Sequence, residues 1–269
     1  MIAHAQDADI FYTARGQGPV CLVLSAMGTA PYERQLPAAL DERLRMVFVE
    51  LRGSGRSTGQ PAELTFDRLA ADLEAVRRAL GADRVAVLGH SVLSLLAFEY
   101  ARRCPETVSH VIAVGAPPFG DMGRLQAAGT LFFEADASDE RKQLLRENLA
   151  RLPPDAPPGA VVLAQTPARF HDPRLDPAPL FAAATPGMEL LGHVLGTLAR
   201  GWEVTAGAPL RVPVFIALGR HDYVVPHVLW DAVALPGATV RVFQQSGHQP
   251  FVEEPAAFTR AVLDWMMPA

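Results

Sequence analysis

Three residues of the kinds that nucleophilic catalysis requires occupy equivalent places along the chain: Ser91 in VAVLGHSVLS, Asp222 in VFIALGRHD and His248 in VRVFQQSGH. Each comes directly after an apolar, β-branched run, which reads as a buried strand followed by a loop. A serine hydroxyl is a poor nucleophile at its own pKa. It needs an imidazole to take its proton and a carboxylate to orient that imidazole and balance its charge. Ser91 is accordingly the expected nucleophile, His248 the base and Asp222 the orienting acid. The most specific segment surrounds His248: Gly247-His248, then Pro250, then Glu253-Glu254-Pro255 ahead of a terminal helix, a pattern that packing alone does not demand. Asp121, past an earlier strand, is the alternative acid. His221 and His227 lack the Gly-His setting and read as loop surface, while His90 reads as packing beneath the serine.

These residues can meet only if their strands run parallel and end at one edge of a sheet. Short β-branched runs alternate with helical patterns through the first half of the chain, the signature of strands joined by crossover helices. The expected buried strands run from Val20 to Ala26, Met46 to Leu51, Arg84 to Gly89, His110 to Ala116, Val212 to Gly219 and Thr239 to Ser246. The earlier segments IAHAQ and DIFYTARG read as an antiparallel pair at the sheet edge. TFDRLAADLEAVRRALGA sets Phe66, Leu69, Leu73, Val76 and Leu80 at helical spacing, with Thr65 as N-cap and Gly81 as the stop. VLSLLAFEYARR, following Ser91, is helical in the same way, and a last helix runs from about Pro255 to Met266.

Between about Pro117 and Leu210 the rhythm breaks. Helical patterns such as DERKQLLRENLARL and GMELLGHVLGTLA are separated by the proline clusters PPDAPPG and DPRLDPAPL. The expectation is a core of residues 1–117 and 210–269 with a helical lid, residues 118–209, inserted over the carboxyl ends of the strands. Phe132, Phe133, Phe170, Phe181 and Leu195 are apolar residues that form the interior of such a lid or line an acyl or aryl pocket.

The 269 residues are 49% hydrophobic and 20% charged, enough to bury a large core. A net charge of −5 leaves no basic footprint for nucleic acid or an anionic membrane, and it does not draw in an acidic substrate either. The start MIAHAQDADIF has no secretory pattern and no run of apolar residues is long enough to span a bilayer, so a cytoplasmic protein is expected. Cys21 and Cys104 make no disulfide framework and lie in no metal-ligand spacing. Gly53-Ser54-Gly55 and Gly16-Gln17-Gly18 lack the endings of phosphate loops and read as turns. No cofactor or metal is expected. Lys142 is the only lysine, against many arginines and alanines, which points to a GC-rich bacterial genome.

The order Ser, Asp, His, together with GHS at Gly89 to Ser91, GRHDYVVP at Gly219 to Pro226, SGHQPFVEEPAAF at Ser246 to Phe258 and VELRGSGRS at Val49 to Ser57, resembles the α/β-hydrolase superfamily. With YARRCPETV after the serine, the chain is most similar to its proline-iminopeptidase-like and small-esterase branches. The resemblance covers roughly residues 1 to 117 and 210 to 269. It implies a mostly parallel twisted sheet flanked by helices, a nucleophile elbow at Ser91, and an oxyanion hole of two backbone N–H groups. Val92 is the implied first donor. Aligning VLSAM with the second oxyanion loop makes Met27 the other donor, with Ala26 next. Two departures stand out. Leu93 occupies the second glycine of the elbow, where the small Ser94 comes next, and LSAMGTAP replaces the usual His-Gly loop.

The missing glycine-rich loop ranks ester cleavage above removal of N-terminal proline. The expected activity is that of a serine hydrolase cleaving a carboxylic ester or lactone with an apolar part through an acyl-enzyme, acting on a small molecule as a monomer or homodimer. An aminopeptidase is the alternative, needing acidic lid groups such as Glu134, Glu189 or Glu203 for the substrate ammonium. A ligand receptor with slow turnover on the same fold is a further one.

Overall fold

A computed structural model describes residues 1–185 and 187–267; Pro186, inside the expected lid, and residues 268 and 269, at the end of the expected core, lie outside the described residues. The described residues form eight strands: β1 (Ile2–His4), β2 (Asp9–Arg15), β3 (Val20–Ser25), β4 (Arg45–Glu50), β5 (Val85–His90), β6 (Val108–Val114), β7 (Val214–Gly219) and β8 (Ala238–Phe243). They make one sheet in the order β1-β2-β4-β3-β5-β6-β7-β8. The expected edge pair β1–β2 is antiparallel, β2 joins β4 antiparallel, and every later pairing is parallel.

The continuous apolar runs follow from burial on both faces of the sheet. Side chains alternate along a strand, so Leu22, Leu24, Val47, Val87 and Ile216 enter one core while Cys21, Val23, Phe48, Leu88 and Phe215 enter the other. The first layer is closed by α2 (Phe66–Ala79) and α3 (Leu93–Arg103), the second by α1 (Ala30–Gln35) and α11 (Pro255–Met266). Helix α2 starts where Thr65 Oγ1 accepts the Arg68 N–H at 3.2 Å, and Gly81 follows its end with φ +65°. The fully buried Arg52, in the loop after β4, donates twice to Asp72 of α2 at 3.0 and 2.7 Å, which ties that loop to the helix layer.

Between β6 and β7 the chain forms α4 (Met122–Asp136), α5 (Asp139–Ala150), α6 (Pro158–Ala164), α7 (Thr166–Arg169), α8 (Ala178–Phe181) and α9 (Met188–His193), the last continued by a π-helical turn Val194–Leu198. An antiparallel bridge between Phe119 and Glu203 joins the two ends of this insertion. A short helix, α10 (Pro250–Glu253), precedes α11. Among the described residues no helix is long and apolar enough to cross a membrane.

Candidate active site

Ser91 sits in the tight turn from β5 to α3 with φ +56°, the only non-glycine at positive φ among the described residues. That conformation costs of order 1–3 kcal/mol and persists only where the surroundings hold it. Here the Ser91 N–H donates to the Val114 carbonyl of the neighbouring strand at 2.8 Å, and the Ser91 carbonyl accepts the Ser94 N–H at 3.0 Å. The turn tolerates Leu93 because the close approach occurs elsewhere. A Cβ at Gly89 would lie 2.5 Å from Ser94 Cα and 2.6 Å from the Leu93 carbonyl oxygen, so the helix start passes directly over residue 89. Leu93 turns its side chain into the core, and Ser94 Oγ donates to the Gly89 carbonyl at 2.8 Å.

Asp222 and His248 come together from the loops after β7 and β8. Asp222 is fully buried, and its Oδ1 accepts the N–H groups of Val224 at 3.0 Å and Val225 at 2.8 Å. Its Oδ2 lies 2.7 Å from His248 Nδ1. The carboxylate holds the proton on Nδ1, which leaves the Nε2 lone pair as the basic site. The ring of His248 lies over Gly115, where a Cβ would be 3.0 Å from Nδ1, so the end of β6 must be glycine for the imidazole to seat. Asp121, the alternative acid, instead caps α4 by accepting the Arg124 N–H at 2.9 Å, and it is exposed.

His90 packs beneath this pair, as expected, and also straps it. Its Nε2 faces the His248 carbonyl oxygen at 3.0 Å and its Nδ1 the Tyr32 hydroxyl at 3.1 Å. Burial foremost, then the charge of His248, hold its pKa well below the ordinary histidine value. A neutral ring that donates through Nε2 and accepts the Tyr32 O–H satisfies both bonds.

The two glutamates after His248 explain their place in the sequence. Glu254 Oε2 accepts from Gln245 N–H and Ser246 Oγ–H at 2.9 and 2.7 Å. Glu253 accepts the Gly247 N–H at 2.7 Å through one oxygen and the His171 N–H of the insertion at 2.6 Å through the other. Burial pushes its pKa up to about 7 against those two hydrogen bonds.

In the loop after β3 the Met27 N–H donates to Ser25 Oγ at 3.3 Å, a long bond, and the Met27 carbonyl accepts the Thr185 N–H of the insertion at 3.0 Å. The buried Glu50 braces this loop by accepting the Thr29 N–H at 3.2 Å and Arg56 Nη2 at 2.7 Å. The Val92 N–H has no acceptor among the described residues.

His221 and His227, expected on the surface, are half-buried instead. The insertion folds over their loop: the Tyr223 N–H donates to the Ala168 carbonyl at 3.0 Å, and the His221 ring lies 4.6 Å from that of His171. Burial, followed by the charges of His171, Arg141 and Arg220, pushes the His221 pKa down to about 4. His227 packs against Phe132. Glu134, Glu189 and Glu203 are exposed, with Lys142 and Arg124 beside the first and last. The grooves between α5, α6 and residues 173–177, and between residues 120–122 and 195–201, include none of Ser91, Asp222 and His248. No cluster of His, Cys, Asp and Glu among the described residues is placed to hold a metal. Burial pushes the Cys21 thiol up to about 12, which makes it unreactive.

Sequence reasoning missed Gly115, Glu50 and the bonds of Glu253. Only Glu253 carried a visible signal, its position beside the Gly-His loop.

The chain is 31% identical over 277 aligned positions to the AB hydrolase superfamily protein YclE of Bacillus subtilis, covering 98% of each. Its fold superposes on an alpha/beta fold family hydrolase from Bacillus anthracis with a TM-score of 0.75 at 22% identity, covering 98% of both chains. It also superposes on a thermophilic esterase from Thermogutta terrifontis with a TM-score of 0.72 at 22% identity, covering 99% of this chain and 97% of that one. The model of the alpha/beta hydrolase fold family matches residues 19–255. With that match over most of its length, the chain belongs to the α/β-hydrolase family.

Proposed function

We propose that the protein is a serine hydrolase that cleaves a carboxylic ester or lactone with an apolar part. The observation that carries this reading is the buried 2.7 Å contact between Asp222 Oδ2 and His248 Nδ1, at the same sheet edge as a serine held at φ +56°. His248 Nε2 takes the proton of Ser91 Oγ as that oxygen attacks the carbonyl carbon. The resulting oxyanion is held by the N–H groups of Val92 and Met27; the long bond from Met27 to Ser25 Oγ is weak enough to be exchanged for one to a full negative charge. His248 then returns the proton to the leaving alkoxy oxygen, the C–O bond breaks and an acyl-Ser91 remains. Water, deprotonated by His248, attacks that acyl group and releases the carboxylic acid and free Ser91. No metal or organic cofactor is required at any step.

The exposure of Glu134, Glu189 and Glu203 supports ester cleavage over an aminopeptidase, which requires an inward carboxylate for the substrate ammonium. The esterase named above shares the fold and adds weight to the same reading. The test is intact mass after incubation with a fluorophosphonate, on wild type and Ser91→Ala, alongside turnover of 4-nitrophenyl valerate. One adduct is expected on wild type and none on the variant, with kcat lowered by roughly 10⁴- to 10⁶-fold. An unlabelled, folded wild type that turns over no ester overturns the reading.

A further inference from the structure

Several arginines of this protein are matched to carboxylates or to main-chain carbonyls. Arg52 pairs with Asp72 and Asp7, Arg102 and Arg103 with Glu99, and Arg220 with Asp136. Arg141 donates to the carbonyls of Pro167, Phe170 and His171. Arg169, at the end of α7, has no carboxylate within 4.0 Å among the described residues. Its only acceptor among the described residues is the neutral Gln165 Oε1, 3.3 Å from Nε and 3.1 Å from Nη2.

The position of Arg169 is what gives this meaning. Its carbonyl accepts the His248 N–H at 2.6 Å, and its backbone packs so closely on Gly247 that a Cβ there would lie 2.1 Å from the Arg169 oxygen. Its charge is close enough to act on both Asp222 and His90. Asp222 pairs with His248 and with the N–H groups of Val224 and Val225, and the guanidinium lies beyond 4.0 Å of its oxygens. Burial lowers the guanidinium pKa from its ordinary value, and an arginine still remains cationic at neutral pH. A half-buried cation without a counter-charge carries a desolvation penalty that a ligand anion would relieve.

Gln165 occupies one edge of the guanidinium, Nε–H and one N–H of Nη2. The opposite edge, Nη1–H and the second N–H of Nη2, matches the two oxygens of a carboxylate. From this geometry we propose that Arg169, held by Gln165, is the anion-recognition residue of the cleft, and that the substrate is an ester or lactone carrying a carboxylate remote from the scissile bond. The proposal rests on the serine-hydrolase reading for its reaction but not for its binding site. The overall charge of −5 does not attract such a substrate, so selection falls to this one group.

The experiment compares 4-nitrophenyl hydrogen glutarate with 4-nitrophenyl valerate, which has the same acyl length without the charge, on wild type, Arg169→Gln and Arg169→Lys. The main-chain carbonyl that holds His248 survives both substitutions. Arg169→Gln is expected to lower the glutarate-to-valerate ratio of kcat/KM by about 10- to 100-fold, mainly through the KM for the glutarate ester, with Lys retaining part of the preference. A parallel fall for both esters makes Arg169 a positioning residue and overturns the proposal. Fluorophosphonate labelling of Ser91 with no charge preference in the wild type overturns it too, while leaving the hydrolase reading intact. Calorimetric titration with glutarate and, separately, inorganic phosphate tests the site even where no ester is turned over. Glutarate binding lost in Arg169→Gln supports the proposal; no binding, unchanged binding or binding of phosphate alone overturns it.

Discussion

The sheet edge and the inserted helices hold their groups by different means. At the edge, Ser91, Asp222 and His248 are fixed largely by backbone: Val114 and Ser94 on the serine turn, Val224 and Val225 on the acid, and the Arg169 carbonyl on His248. In the insertion, short helices hold side chains by other side chains and by terminal carbonyls, as with Gln165 on Arg169 and three carbonyls on Arg141. Backbone bonds anchored in a parallel sheet tolerate no displacement without losing many others. A seven-residue helix with no buried residue, such as α6, can be rebuilt at little cost to the core. On the proposed function, the chemistry resides at the edge and substrate choice above it.

The sharpest way to break this contrast is at the acid. Asp222→Asn keeps an oxygen for Val224 and Val225 but presents an amide to His248 Nδ1, reversing the tautomer; kcat should fall by roughly 10⁴-fold while the melting temperature changes little. A loss no larger than tenfold in a purified, folded variant would show that the edge does not orient its base this way. Gly115→Ala comes next. A methyl 3.0 Å from His248 Nδ1, on a residue with φ +53°, must shift the imidazole, so kcat should drop by on the order of 10- to 100-fold with KM nearly constant. Equal losses in both parameters would locate the disturbance in the insertion as well.

The smallest effect lies at the seam between the two regions. His221 is held neutral in the fold, with its pKa near 4 against 6.5 in the unfolded chain. Its contribution to stability is full above pH 6.5 and is lost as pH falls toward 4, on the order of 1 kcal/mol for a half-exposed ring. Glu253 has the opposite sign: raised to about 7, its contribution is full below pH 4.5 and is lost as pH rises through 7. Melting temperatures of wild type and His221→Gln between pH 4.5 and 8 should converge at the acid end, since the variant lacks the acid-side loss. Parallel curves over that range count against a buried neutral His221.

Much of the sheet was legible because burial on both faces enforces unbroken apolar runs, and each strand end exposes the next residues to one edge. That is why Ser91, Asp222 and His248 could be read as a group. Leu93 stands out in the sequence as a departure because the family pattern places a glycine at residue 93; in three dimensions the close approach falls between Gly89 and Ser94, a backbone contact that spacing does not reveal. Arg169 was illegible for a different reason. It is one arginine among many, and only the path of the insertion over the loop after β8 gives it a neighbourhood. The same path buried His221 and His227, which lie on a loop that would be surface in the core alone.

The bond from the His248 N–H to the Arg169 carbonyl has a dynamic corollary. Drawing α7 away from the core to admit or release a ligand strands that N–H, at a cost of about 1–3 kcal/mol for a buried donor left unpaired. The position of α7 and the alignment of the His248 imidazole are thus thermodynamically linked through one bond.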